Sequence, residues 1–239
     1  MLYSLIRGGS DLGLVGFLTV VFSYAVVLLV MLPVHEMAHA YTAYRLGDST
    51  AKWQGRLTMN PFRHLDIWGT VMILVVGIAY ARPVPVNPYN FRKPKRDMAL
   101  TALAGPVSNL LMAFLSLVIF RLLLLFTGES VTAVGGTVYF DSQLGLSLFR
   151  IFVNVFASVN IGLAVFNLLP IPPLDGSRVL ALILPDRIVY QMERYAQYIS
   201  IGVLVLLMTG VLDIPLSFLR WAVGGLFCRI LGLPNLFPF

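Results

Sequence analysis

The chain has 239 residues, of which 58% are hydrophobic and only 12% are charged. Soluble domains carry about twice that charged share, so the composition favours a membrane protein over a soluble one. The net charge of +6 then indicates basic loops beside a membrane rather than a nucleic-acid-binding surface. The single cysteine, Cys228, excludes an internal disulfide and a zinc site built from cysteines.

Apolar segments follow one another along the whole chain, separated by short polar stretches. They predict an all-α polytopic membrane protein, a bundle of about five or six transmembrane segments in a single domain over residues 1–239. Their approximate ranges are Leu12–Leu32, Ile67–Ala81, Met98–Phe126, Leu144–Leu169, Ile188–Leu212 and Ile214–Leu233.

The polar stretches between the segments differ in charge. Residues 45–66 and 82–97 are rich in lysine and arginine, whereas residues 127–143 contain Glu129 and Asp141 and no basic residue. Basic loops stay on the cytoplasmic side of a membrane. The first two stretches are therefore predicted to be cytoplasmic and the third external.

The second apolar segment, Ile67–Ala81, has basic flanks on both sides and is short. About fifteen helical residues reach roughly 22 Å, less than the apolar core of a membrane, which is about 30 Å thick. We therefore expect a re-entrant or half-depth element. The prolines of the following run, Arg82–Pro88, lack amide donors and predict an extended strand along the membrane interface.

A polar motif, His35-Glu36-Met37-Ala38-His39, ends the first apolar segment. Residues four apart on a helix point to the same side, and two imidazoles at that spacing suit Zn²⁺. Glu36 follows the first imidazole and can take a proton from a water at the metal. H-E-x-x-H also occurs by chance, but two histidines and a glutamate beside an apolar segment are costly unless paired or metal-bound. The motif predicts one zinc per chain.

A third zinc ligand has to come from elsewhere in the chain. Asp175 directly follows the fourth apolar segment, where Pro170, Pro172 and Pro173 break the helix and Gly176 permits a turn. The charge pattern puts Asp175 on the same cytoplasmic side as the two histidines. The alternative is an ordinary turn aspartate. We expect Asp175 to be the third ligand.

Three spaced motifs together resemble the site-2 protease family of intramembrane zinc metalloproteases. They are His35–His39, Ala104–Asn109 (A-G-P-V-S-N) and Asn167–Gly176 (N-L-L-P-I-P-P-L-D-G). The runs Asn60–Asp66 and Arg82–Pro88 are similar to those of compact prokaryotic members. The resemblance covers about residues 30–185, and this chain has no room for the PDZ domain that many relatives contain.

The resemblance implies zinc bound by His35, His39 and Asp175, with Glu36 as the catalytic base. It also favours a catalytic role for Asn109, as a hydrogen-bond donor to the substrate backbone or the oxyanion; the alternative is a bond between helices. The third histidine, His64, is expected to be structural. It would otherwise bind a second metal or shuttle protons.

The expected function is hydrolysis of peptide bonds in or near transmembrane segments, by Glu-assisted attack of water at the zinc. Partners would be a transmembrane protein or peptide and the lipid bilayer, with no nucleic acid. We expect a prokaryotic cell membrane, an active site toward the cytoplasm, a catalytic core over about residues 12–185 and accessory helices over about 188–239. The alternatives are a metal transporter and a non-proteolytic zinc-binding membrane protein.

Overall fold

The computed structural model describes residue 15 and residues 18–64, 84–128, 131–134, 137–140 and 144–237. The segment predicted to be re-entrant, Ile67–Ala81, lies outside these residues, and so do Arg82 and Pro83.

Helices form most of the described chain, which confirms the all-α prediction. Two short 3₁₀ turns, Pro61–Arg63 and Pro88–Asn90, and an antiparallel hairpin of β1 (Val131–Val134) and β2 (Thr137–Phe140) complete the architecture. The helices are α1 (Leu18–Arg45), α2 (Thr50–Trp53), α3 (Pro94–Thr127), α4 (Leu144–Asn167), α5 (Asp175–Leu180), α6 (Asp186–Arg194), α7 (Ala196–Met208) and α8 (Asp213–Ile230).

Three helical stretches are long and apolar enough to cross a membrane: Leu18–Arg45, Pro94–Thr127 and Leu148–Asn167. Helices α7 and α8 qualify only as a pair, and they meet at an angle of 82°. Helix α7 has 13 residues and reaches only about 20 Å, and Gly210 adopts a left-handed conformation at the turn. The two C-terminal apolar segments therefore count as one broken span at most.

Helix α3 is the central element of the bundle, packing against α1, α4 and α5. It begins at Pro94. The missing N–H of proline costs no hydrogen bond there, because the first N–H groups of a helix have no partner within it. The carboxylate of Asp97 accepts the backbone N–H of Lys93 at 3.0 Å and so caps the helix start. Small and apolar side chains of α3 and α4 interdigitate along the bundle. The buried members are Ala113, Leu117, Phe120, Leu124, Val153, Ala157, Ile161 and Val165.

The chain end supports this core from the other side. Buried Cys228 of α8 packs against the same cluster, together with Leu236 and Phe237 of the following segment. A Cβ atom on Gly224 would lie 2.3 Å from the ring of Phe237. The C-terminal helix thus approaches the terminal segment as closely as only glycine permits.

The strand expected over Arg82–Pro88 is not confirmed, because residues 84–87 form neither a strand nor a helix. Asn87 is extended, with φ −106° and ψ 106°. The segment is held by Asp48, whose carboxylate is fully buried. It accepts the backbone N–H of Asn87 and the side-chain amide of Asn90, both at 2.7 Å, and the backbone N–H of Thr50 at 3.0 Å.

Replacing Asp48 with asparagine should destabilise the protein by about 2 kcal/mol, because one of its acceptor oxygens becomes a donor. Burial alone would raise the pKa of Asp48, but the hydrogen bonds from Thr50, Asn90 and Asn87 lower it below the ordinary value. The charged carboxylate therefore stabilises the fold above the unfolded pKa, and this contribution disappears as pH falls through the lower folded pKa. In detergent, the unfolding temperature of the Asp48→Asn protein should be lower than that of the wild type at pH 7, and this difference should disappear below about pH 4. An equal difference at both pH values would contradict this account.

Candidate metal centre

Helix α1 places His35 and His39 on one buried face, one turn apart. Their Nε2 atoms are 3.1 Å apart. The carboxylate oxygen Oδ2 of Asp175 approaches from α5, 3.6 Å from Nε2 of His35 and 3.3 Å from Nε2 of His39. The three residues predicted from the sequence as ligands are therefore brought together, and in the described part of the chain they form a group able to hold a metal ion.

The triangle of ligand atoms has the size that a tetrahedral zinc requires. Zinc binds nitrogen and carboxylate oxygen at about 2.0–2.1 Å, so two ligand atoms of a tetrahedral site lie about 3.3 Å apart. The three observed separations scatter around this value. Two imidazoles and one carboxylate, with a fourth position open to water, are a ligand set of catalytic zinc sites.

A hydrogen bond to helix α3 fixes the ring of His39. Its Nδ1–H donates to the carbonyl oxygen of Thr101 at 2.7 Å. A carbonyl can only accept, so the proton sits on Nδ1 and leaves the Nε2 lone pair for a metal. Such an outer partner orients a ligand and raises its basicity. Nδ1 of His35 is buried and has no hydrogen-bond partner among the described residues.

The start of helix α5 presents Asp175 to the imidazoles. A Cβ atom on the next residue, Gly176, would lie 2.2 Å from the carbonyl oxygen of Leu168, so the turn packs directly on the end of α4. Burial alone would raise the pKa of Asp175, but hydrogen bonds and charge from His35 and His39 in their protonated form, without a metal, lower it below the ordinary value. The side chain is therefore an anion at neutral pH, as a metal ligand must be.

Helix α3 approaches the two imidazoles through Gly105. A Cβ atom there would lie 2.3 Å from Nε2 of His39 and 2.5 Å from Cε1 of His35. In the sequence, Gly105 stood out only as part of the motif Ala104–Asn109. The structure shows that the imidazoles themselves fill the space.

Glu36 is buried beside the ligands, with only 8% of its surface exposed. Within the described part of the chain its carboxylate has no ion pair or hydrogen bond to a side chain, although its charge acts on His39. A buried carboxylate without a partner is costly. A cation held by the neighbouring ligands would offset that cost.

Two buried amides lie on the helices that face each other, α3 and α4. Asn109 is one turn beyond Gly105, and neither of its amide atoms has a hydrogen-bond partner in the described residues. Asn160 donates to the carbonyl oxygen of Phe156 at 2.8 Å, while its Oδ1 has no partner in the same residues. Sequence reasoning missed Asn160, and an asparagine inside an apolar span was the available signal.

His64 stands apart from the metal centre. It is fully buried, and its Nε2 donates to the carbonyl oxygen of Thr58 at 2.8 Å. Its Nδ1 is buried and has no hydrogen-bond partner among the described residues, so a structural role for the third histidine stays a prediction.

Replacing Asp175 with alanine should reduce bound zinc from about one per chain to near zero, because two imidazoles alone leave the ion without its anionic ligand. Elemental analysis of the purified proteins measures the change. Asp186→Asn is the matched control, since Asp186 is exposed and pairs with Lys95 away from the centre. Unchanged zinc content in the alanine variant would remove Asp175 from the ligand set.

Comparisons with known proteins agree with this centre. The sequence profile of peptidase family M50 matches residues 23–209. The Bacillus subtilis protein named "Putative zinc metalloprotease YwhC" is 42% identical over 197 residues, which cover 82% of this chain and 83% of that protein. The Mycobacterium tuberculosis protein named "Putative zinc metalloprotease Rip2" is 32% identical over 152 residues, 62% of this chain and 52% of that protein.

The chain thus spans about half the length of Rip2. No solved structure matches it. The apolar helices and the family both indicate a multi-pass membrane protein. With a site that fits zinc and a family match over most of its length, the chain belongs to peptidase family M50, the site-2 protease family of zinc metalloproteases.

Proposed function

We propose that this metalloprotease cleaves peptide bonds in or near the transmembrane segments of other membrane proteins. The observation that carries the proposal is the location of the metal centre. His35 and His39 lie within the span Leu18–Arg45, and both are buried between helices rather than in a soluble domain. A substrate reaching this centre must enter the helical bundle, as a transmembrane segment or the polypeptide next to one can.

Each polar side chain at the centre receives a role in this proposal. His35, His39 and Asp175 would hold one zinc ion, which would supply Lewis-acid activation of water and stabilise negative charge. Glu36 takes the proton of the attacking water and returns it to the nitrogen of the leaving amine. The Nδ2–H groups of Asn109 donate to the oxyanion or to the substrate backbone, which would satisfy an amide that has no partner in the described residues.

The substrate must present an unwound segment, because a helix hides its carbonyl oxygens in hydrogen bonds to the fourth residue along. The test uses purified protein in liposomes with a single-span substrate, and mass spectrometry of the fragments. We expect cuts within the apolar segment or a few residues from it. Cuts confined to distant soluble loops would contradict intramembrane action.

We further propose that the active site faces the cytoplasm. The support is that basic residues gather at the end of α1 and the start of α3, next to His39 and Thr101. In a Cys228→Ser background, an impermeant thiol reagent on intact cells should leave Asn90→Cys unlabelled and modify Thr127→Cys at the other end of α3. Labelling of Asn90→Cys from outside would reverse the orientation.

A metal transporter and a non-proteolytic zinc-binding protein remain the alternatives. A transporter needs polar groups along a path through the membrane. A non-proteolytic zinc-binding protein does not require Glu36 as a general base. Both predict a substrate that stays intact in the liposome assay.

A further inference from the structure

A concave pocket of about 450 Å³ opens between the end of α1 and the start of α3. It is separate from the metal centre and shares no residue with it. Four of its lining side chains are cationic and one is acidic. They are Arg45, Arg92, Lys93, Arg96 and Asp97, and Leu46 and Gly47 complete the lining.

The positive charge of this pocket is not balanced by carboxylates of the described residues. The carboxylate of Asp97 is already engaged, since it accepts the backbone N–H of Lys93 and lies 3.6 Å from Nε of Arg96. Among the described residues, no carboxylate lies within ion-pair distance of Arg45, Arg92 or Lys93. The pocket is therefore complementary to an anion.

The pocket lies at the ends of two helices that are long and apolar enough to cross a membrane, and we infer that it lies near the membrane surface. Arg45 is the last residue of one span, and Pro94 begins another. Arg45 follows His39 by six residues, so the pocket lies about 9 Å from the metal centre along the helix. Helix α6 is amphipathic, as helices lying on a membrane often are, and it is joined to the same end of α3 by an ion pair of 2.6 Å between Lys95 and Asp186.

Exposed apolar side chains follow the cations along both candidate spans. Tyr41 lies one turn before Arg45 on α1, and Leu100 lies one turn after Arg96 on α3. Tyr41 is 50% exposed and Leu100 is 40% exposed. Because residues four apart share a helix face, each apolar side chain sits on the membrane side of a pocket cation. A ligand that fits both features carries an anionic head and a hydrocarbon chain.

We propose that this pocket binds the phosphate headgroup of an anionic phospholipid, whose acyl chains lie along Tyr41 and Leu100. Free phosphate would satisfy the cations but not the exposed apolar surface beside them. A lipid with a zwitterionic headgroup would bring a positive charge into a pocket that already holds four. The proposal needs no proteolysis and stands independently of the cleavage reaction.

The test is native mass spectrometry of the full protein after purification from bilayers of phosphatidylglycerol and phosphatidylcholine in equal amounts. We expect retained phosphatidylglycerol to exceed phosphatidylcholine by tenfold or more. The combined variant Arg45→Gln, Arg92→Gln, Arg96→Gln should lose this preference. The matched control, Lys52→Gln, Arg63→Gln, Arg187→Gln, removes equally exposed charge outside the pocket and should keep it.

Zinc content reports whether the pocket variant still folds. Should it lose zinc, the single variant Arg92→Gln takes its place, with a partial loss of lipid preference expected. Equal retention of both lipids by the unmodified protein, or an unchanged preference in a zinc-loaded pocket variant, overturns the proposal.

A further arm adds millimolar inorganic phosphate. Full displacement of the phospholipid by phosphate would assign the pocket to small anions instead.

Discussion

Glu36→Gln should abolish peptide hydrolysis and leave the zinc bound. The substitution keeps the size of the side chain and removes its negative charge and its ability to accept a proton. Glu36 is rotated by about 100° from His35 on the helix, so its carboxylate flanks the site without occupying a ligand position. General-base catalysis is typically worth about 10²–10⁴-fold, and we expect a loss of at least this size.

The measurement is cleavage of a single-span substrate in liposomes, with zinc determined on the same sample. Glu193→Gln is the matched control, since Glu193 is exposed on α6 and should leave the rate unchanged. A Glu36→Gln protein that cleaves at the wild-type rate would refute the mechanism. Loss of zinc together with activity would make Glu36 a structural residue and reopen the ligand assignment.

Gly105→Ala should lose both zinc and activity, although it adds one methyl group to a residue that binds nothing. The added carbon would lie 2.3 Å from Nε2 of His39, much closer than non-bonded atoms approach, so an imidazole must move. Zinc sites tolerate displacements of only about 0.2 Å in their ligand distances. We expect zinc affinity to fall by on the order of 100-fold, the upper end of the cost of disturbing a ligand's surroundings.

Zinc titration with a competing chelator measures this loss directly. Gly202→Ala supplies the control, because a Cβ atom at Gly202 of α7 would meet nothing within 4 Å. Both variants make the same chemical change in a membrane helix, so a difference between them reports on the contact with the imidazoles. Equal affinity in the two variants would mean that the imidazoles can shift without cost.

Local sequence patterns predicted the part of the metal centre that one helix builds. His35 and His39 are four residues apart, and helical geometry alone brings such side chains together. Asp175 comes from a distant segment, and two signals located it: the proline-rich break after a span and the charge pattern of the loops. The all-α bundle followed from the apolar segments in the same way.

Features that depend on packing between distant segments were not predictable. Asp48 begins an ordinary polar turn, and nothing in its neighbours shows that Asn87 and Asn90 complete its hydrogen bonds. The break between α6 and α7, inside the predicted segment Ile188–Leu212, also escaped, because an apolar composition does not show where a helix ends. Gly105 stood out only as part of the motif Ala104–Asn109, and its contact with the imidazoles depends on how α1 and α3 cross.

The metal ligands come from α1 and α5, which are separated by most of the chain. A cation held by both helices is a cross-link that exists only in the folded bundle, so its binding and the folding of the protein are one coupled equilibrium. At a free concentration 1,000 times its dissociation constant, such a ligand adds about 4 kcal/mol to the free energy of unfolding. Linkage is reciprocal. A substitution that destabilises the packing of α3 against α4, far from any imidazole, will lower the affinity for the ion. Removing the ion will in turn lower the free energy of unfolding of the whole bundle.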